Sequence, residues 1–181
     1  MNRLTASQRA AILFGQKFGR NMVLALNSKP IYFSVMLTIA STESGYGRSL
    51  SARTKNNFFG IMSGKTTRRF ATPEECFEYW VGLLTTANRY IKAGVPSAKN
   101  PYDQIKAMAL GGYYSANNDT KSTLPPRLQA KYGRVTPQES ADWYYEKNKK
   151  MLDVLLLALP IGKIDNDNYA STKKFLNTFN V

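Results

Sequence analysis

Glu43 is the only acidic residue in the first 73 positions, a stretch that also carries eleven Lys and Arg residues. It lies in Ala40-Ser41-Thr42-Glu43-Ser44-Gly45-Tyr46-Gly47-Arg48-Ser49, where a hydrophobic segment meets a glycine-rich turn. A carboxyl placed so singly is a candidate catalytic acid; the alternative is a buried structural Glu bonded to backbone amides. The chain has no histidine. Acid–base chemistry near neutral pH therefore falls to a carboxyl, a Tyr, a Lys or the one Cys. The same absence excludes a Ser-His-Asp triad, a Cys-His pair and a His-ligated zinc site. Cys76 is the single cysteine, so an internal disulfide and a CxxC metal knuckle are excluded too. Its acidic neighbours Glu74, Glu75 and Glu78 would raise its thiol pKa, and it reads as a core residue.

The residues after Glu43 mix glycines, aromatics and amides: Tyr46 in the turn, then Lys55-Asn56-Asn57-Phe58-Phe59-Gly60-Ile61. Glycines let a ligand approach the backbone, aromatic rings stack on sugar faces, and an amide offers a donor and an acceptor together. Such a mixture suits a polar, ring-shaped substrate, although turns use the same residue types.

The elements that must position these residues read as mostly helical. Residues 7–26 form an amphipathic pattern. A second helix is expected over about 30–44, with Pro30 in its first turn and Asn27 or Ser28 near its cap. Met36, Ile39, Ala40 and Glu43 then share one face, which carries Glu43 toward the core at the helix C-terminus. Burial and the negative end of the helix dipole both raise the pKa of a carboxyl there, as a proton donor requires. Residues 50–71 read as loop with a short hairpin around Ile61 and Phe70. Thr72-Pro73-Glu74-Glu75 has the form of a capping box opening a helix to about Ala93. Asn100-Pro101 starts another helix, ending at Gly111-Gly112. Residues 113–135 are irregular, and Thr136-Pro137-Gln138-Glu139 opens a helix to about Leu159. The tail, 161–181, is polar, with a short helix around 170–178. No repeat or linker divides the 181 residues, so 1–181 reads as one domain, long enough for a substantial core.

A net charge of +13 implies a polyanionic partner: nucleic acid, an anionic membrane or an anionic cell wall. No nucleic-acid-binding motif is present, and no segment approaches the ~20 apolar residues of a membrane span. No signal peptide is visible at the N-terminus. The expectation is a chain that is cytosolic, exported by a dedicated machine, or recorded without its leader.

Glu43-Ser44-Gly45-Tyr46-Gly47-Arg48-Ser49, followed by Asn56-Asn57-Phe58-Phe59-Gly60-Ile61, resembles the signature of the bacterial glucosaminidases, glycoside hydrolase family 73. The likeness is tight over 43–61 and looser from residue 30 to about 115, where Gly112-Tyr113-Tyr114-Ser115 is similar to a Gly-Tyr-Ala-Thr segment of the family. The resemblance implies a lysozyme-like fold, mainly helical (α+β), with a small β-lobe beside a glycan-binding cleft. It implies hydrolysis of the β-1,4 bond after N-acetylglucosamine in peptidoglycan, with Glu43 as general acid and Tyr113 as the supporting cleft tyrosine. Tyr46, Asn57, Phe59 and Tyr114 are the implied substrate-side residues, and neither cofactor nor metal is implied. Family members commonly carry a second carboxylate in the β-lobe, whereas residues 44–73 here contain no Asp or Glu and the lobe is short. Asp119, in the irregular loop after Tyr113, is the candidate to replace it; the alternatives are the substrate's own acetamido group or a water held by Tyr and Asn. A muramidase or a lytic transglycosylase, which needs a single carboxyl, is the close rival reading, and a non-catalytic wall-binding protein is the rival of another class. Arg48, Arg53, Lys55, Lys65, Arg68 and Arg69 flank the expected cleft and would attract an anionic strand. Such a hydrolase would act in the bacterial wall or periplasm, as a phage lysin, a tail enzyme or a bacteriolytic toxin. A toxin would be paired with a cognate immunity protein that occupies the cleft.

Overall fold

The structure is a computed structural model and describes residues 5–158. It is mainly helical, as the resemblance implies, with one very small sheet. The elements run α1 (Ala6–Leu26), α2 (Phe33–Ser44), α3 (Leu50–Lys55), β1 (Met62–Ser63), β2 (Thr66–Thr67), α4 (Pro73–Thr86), α5 (Asn88–Lys92), α6 (Pro101–Leu110), α7 (Pro126–Gln129) and α8 (Pro137–Ala158). The two strands form an antiparallel hairpin, with Met62 opposite Thr67 and Ser63 opposite Thr66. The expected tail helix around 170–178 lies outside the described residues.

Helix α2 is the centre of the molecule, with α1, α6 and α8 packed around it. The one-sided apolar stripe expected for it becomes burial on every side: ten of its twelve residues are buried, and only Thr42 and Glu43 are half-exposed. Small residues permit this enclosure. Ser34, Thr38, Ala40 and Ser41 are fully buried on α2. Gly15 of α1 lies so close that an added Cβ would sit 3.3 Å from Leu37 Cδ2. The helix starts later than expected. Pro30 precedes it, and the N-cap position is Tyr32, whose backbone N–H donates to Gln104 Oε1 at 2.8 Å. Asn27 and Ser28 instead take positive φ in the turn after α1.

Three of the sequence-expected helix starts have the expected chemistry. Thr72 Oγ1 accepts from Glu75 N–H, Asn100 Oδ1 from Asp103 N–H, and Thr136 Oγ1 from Glu139 N–H. Two further assignments differ. Helix α3 occupies residues expected as loop, with Ser49 as its N-cap accepting from Ala52 N–H at 3.2 Å. The single helix expected from Pro73 to about Ala93 is broken at Ala87, whose backbone is extended (φ −74°, ψ 126°). The Thr85 and Thr86 hydroxyls, just before the break, bond back to the Val81 and Gly82 carbonyls, a habit that bends helices.

The main core joins α1, α2, α4, α6 and α8, with Trp80, Phe77, Phe33, Tyr90 and Tyr144 among its largest fully buried side chains. A smaller cluster, Ala116, Leu124, Leu128 and Val135, lies under the loop between α6 and α8. Cys76 is buried in the main core, and burial pushes its thiol up to about 12. Among the described residues no helix is long and apolar enough to cross a membrane.

Candidate active site

The turn after α2 is built so that the helix ends immediately beyond Glu43. Gly45 takes a left-handed conformation (φ 56°) and its N–H caps the Ser41 carbonyl. Glycine favours that conformation because it lacks a Cβ. The Ser44 hydroxyl bonds the Ala40 carbonyl within the helix and accepts from Gly47 N–H at 2.7 Å in the turn. Gly47 lies against Phe14, where a Cβ would approach the ring to 3.2 Å. Tyr46, between the two glycines, also has positive φ (60°) and is half-buried against the core. The Ser-Gly-Tyr-Gly sequence is thus a compact stop that fixes where Glu43 projects.

The Asn-Asn-Phe-Phe-Gly-Ile segment builds the wall beyond it. Asn56 ends α3 and donates through Nδ2 to the Phe70 and Ala71 carbonyls. Asn57 is 1% exposed; its Nδ2 donates to the Ile61 and Arg68 carbonyls, both at 2.8 Å, and its Oδ1 accepts from Ile61 N–H at 3.0 Å. Both amide hydrogens are committed to the base of the hairpin, which gives Asn57 a shaping role with no donor left for a sugar. Phe59 is buried as well, stacked on Trp80 with ring centroids 4.5 Å apart. Both residues, expected on the substrate side, hold the wall from behind.

Tyr113 reaches the same wall from the end of α6. Its hydroxyl accepts from Trp80 Nε1 at 2.9 Å and is 3.4 Å from the Phe59 carbonyl. The direct partner of Glu43 is a different tyrosine. Tyr144 of α8 is fully buried and donates its hydroxyl to Glu43 Oε1 at 3.1 Å. The Tyr113 and Tyr144 rings lie 5.9 Å apart, and Tyr114 stacks on Tyr144 at 5.0 Å. Tyr114 in turn donates to Asp119 Oδ2 at 2.8 Å, and Asp119 Oδ1 accepts from Thr120 N–H at 2.8 Å. Lys147, one turn beyond Tyr144 on α8, lies over the Tyr114 ring.

The electrostatics divide the two carboxyls. Burial pushes the Glu43 pKa up, opposed by the Lys147 charge and the Tyr144 hydrogen bond and aided by the Asp119 charge. The C-terminal end of α2 acts in the same upward direction. Burial would also raise Asp119, but bonds from Tyr114 and the Thr120 amide, with the Lys147 charge, leave it below the usual carboxylate value. Glu43 is suited to hold a proton, and Asp119 to stay ionised. Separating two carboxyl affinities in this way is how acid and base roles are divided in one site. Among the described residues no group of three His, Cys, Asp or Glu side chains converges on a metal position.

Tyr144 and Lys147 were not singled out by sequence reasoning. Ala141, Tyr144, Asn148, Leu152 and Leu155 follow the spacing of a buried stripe, and all five are buried. The one available signal was Asn148, an amide in that apolar stripe. It accepts from Thr42 Oγ1 at 2.8 Å, next to Glu43.

A helical fold whose central helix opens to solvent only at Thr42 and a half-buried carboxyl, beside a bank of tyrosines, has the form of a glycoside hydrolase. Residues 20–174 match the Glucosaminidase family, described as mannosyl-glycoprotein endo-beta-N-acetylglucosaminidase, and the chain belongs to that family. It is therefore a glycosidase of endo-β-N-acetylglucosaminidase type acting on a glycan. The match continues through α8, well past residue 115, and includes the helix that supplies Tyr144. No curated protein and no solved structure matches the chain.

Proposed function

We propose that this enzyme cleaves the β-1,4 bond after N-acetylglucosamine in peptidoglycan glycan strands, with Glu43 as the general acid. The observation that carries the reading is the placement of Glu43. It is a half-buried carboxyl with a raised pKa, at one of the two positions where the central helix reaches solvent. Protonated Glu43 donates to the glycosidic oxygen as the bond to the anomeric carbon breaks, and a water adds to that carbon and gives up a proton, so that the net reaction is hydrolysis. Tyr113 and Tyr114 lie close enough to feel the Glu43 charge, and Tyr46 follows Glu43 in the turn. The net charge of +13 favours an anionic glycan such as the bacterial wall, and the enzyme would then act in the wall or periplasm.

Two findings favour a second reading, lytic transglycosylation. The hairpin segment 44–73 carries no carboxylate, and the Asp119 carboxylate is held by Tyr114 and the Thr120 amide. A single-carboxyl mechanism uses the substrate's own groups in place of the missing base. Mass analysis of digested peptidoglycan separates the outcomes. Reducing-end N-acetylglucosamine supports the proposal, reducing-end N-acetylmuramic acid indicates a muramidase, and an anhydro end indicates a transglycosylase. Glu43→Gln should lower the rate by about 10²–10⁴-fold, the usual contribution of general acid catalysis. A folded Glu43→Gln enzyme that clears peptidoglycan at the wild-type rate would refute the assignment.

A further inference from the structure

We propose that Tyr144 is a positioning residue that holds the Glu43 carboxyl by Oε1, so that Oε2 carries the proton and delivers it to the glycosidic oxygen. The inference deepens the reading of Glu43 as general acid and rests on it.

The geometry begins with α8. Tyr144 and Asn148 are one turn apart, both fully buried, and Asn148 Nδ2 donates to the Tyr144 carbonyl at 2.8 Å. Each engages a consecutive residue at the end of α2: Asn148 Oδ1 accepts from the Thr42 hydroxyl at 2.8 Å, and the Tyr144 hydroxyl donates to Glu43 Oε1 at 3.1 Å. These two polar contacts tie α8 to the end of α2 at the residue proposed to do the chemistry. The Tyr144 ring cannot drift, because Tyr113 and Tyr114 pack against it.

A neutral carboxyl has one carbonyl-type oxygen, which only accepts, and one hydroxyl oxygen, which donates. Tyr144 is a phenol, and burial keeps its pKa well above the usual tyrosine value, so it remains a donor. Its bond therefore selects Oε1 as the accepting oxygen and leaves the proton on Oε2. Without that bond the carboxyl can rotate and exchange the two oxygens, and a fraction of enzyme holds its proton toward the protein. The other groups that act on Glu43 are Lys147 from the same helix and Asp119 from the loop after α6. Neither is hydrogen-bonded to Glu43 in the structure; both act through charge.

The test compares Tyr144→Phe with Tyr145→Phe, a half-buried neighbour on the same helix outside the Glu43 contact. Tyr144→Phe should lower kcat about 10-fold or more, because the lost bond also stabilises the charge Glu43 acquires as it gives up its proton, with KM near wild type. The alkaline limb of its pH profile should move upward, because the lost donor favoured the ionised carboxyl. Carboxyl carbon resonances of labelled glutamate, with Glu43 assigned by Glu43→Gln, should show the same upward move without any substrate. Tyr145→Phe should change none of these. A kcat loss in Tyr144→Phe with an unmoved Glu43 titration would mean a merely structural role and overturn the proposal, as would unchanged kcat. If Tyr144→Phe does not fold, the wild-type protein still decides. The ring carbon bearing the Tyr144 hydroxyl must shift at the pH where Glu43 titrates, and an unresponsive Tyr144 overturns the proposal. Wild-type activity in Glu43→Gln would instead reject the general-acid reading, whatever Tyr144 does.

Discussion

At the residue scale, the burial that raises the Glu43 pKa also makes this carboxyl a burden on stability. Its pKa in the folded state is raised, chiefly by burial. Between the unfolded and folded pKa values the folded protein binds more protons than the unfolded one, so stability falls as pH rises through that window. Below the unfolded value of about 4.3 the carboxyl is neutral in both states and costs nothing. Glu43→Gln is neutral at every pH and keeps an oxygen for Tyr144. Its thermal midpoint should exceed that of the wild type at pH 7 and converge on it at about pH 4. A midpoint below wild type at pH 7 would show that Glu43 stabilises the fold and that its pairing with Lys147 outweighs burial. Asp119 has the opposite character, a lowered pKa and two bound oxygens. We expect Asp119→Asn to cost far less turnover than Glu43→Gln, since its main work is to hold Tyr114 against Tyr144. A loss as large as that of Glu43→Gln would make Asp119 the missing base.

At the element scale, local chemistry was legible and tertiary context was not. The helix starts at Thr72, Asn100 and Thr136 could be read because a capping side chain and its partner N–H are three residues apart in sequence. Glu43 stood out because a lone carboxyl at the end of an apolar segment is itself a signal, and the structure places it half-buried at the end of α2. Helix α3 was not legible: of its six residues only Ala52 is buried, so there is no periodic stripe to see. Tyr144 was hidden for the opposite reason. Its ring satisfies the core pattern of α8, and only its hydroxyl, aimed at a residue 101 positions away, belongs to the site. Asn57 shows a third case: the motif was right in sequence, but its amide serves the backbone of the hairpin. Asn57→Ala should therefore destabilise the protein by about 1–3 kcal/mol through unsatisfied buried carbonyls. Amide exchange should accelerate around 57–70 well before the α2–α8 core is affected. Full thermal stability with a raised KM would instead make Asn57 a substrate ligand.

At the scale of the whole molecule, charge is distributed unevenly along the chain. The six cations of the 44–73 segment follow directly on Glu43 and have no carboxylate within that segment. Several are anchored rather than loose. Lys55 Nζ donates to Thr67, Arg69 donates to the Thr54 carbonyl, and the Arg68 guanidinium lies 4.2 Å from the Tyr79 ring centroid. These contacts leave the charges in place, whereas Arg48, Arg53 and Lys65 project as exposed side chains. The ion pairs among the described residues, Lys131–Glu139 and Lys149–Asp153, lie on other segments. An arm of this kind should draw an anionic strand toward Glu43 by long-range attraction, which salt weakens. The Debye length falls from about 10 Å at 0.1 M to about 3 Å at 1 M ionic strength. Retention on insoluble peptidoglycan should therefore drop across that range. Replacing Arg48, Arg53 and Lys65 together by Gln should weaken retention at low salt and flatten its salt dependence, with the thermal midpoint unchanged because none of the three is buried. Salt-independent retention, or a triple variant that binds like the wild type, would transfer the work of binding to the tyrosines and hydrogen bonds around the site.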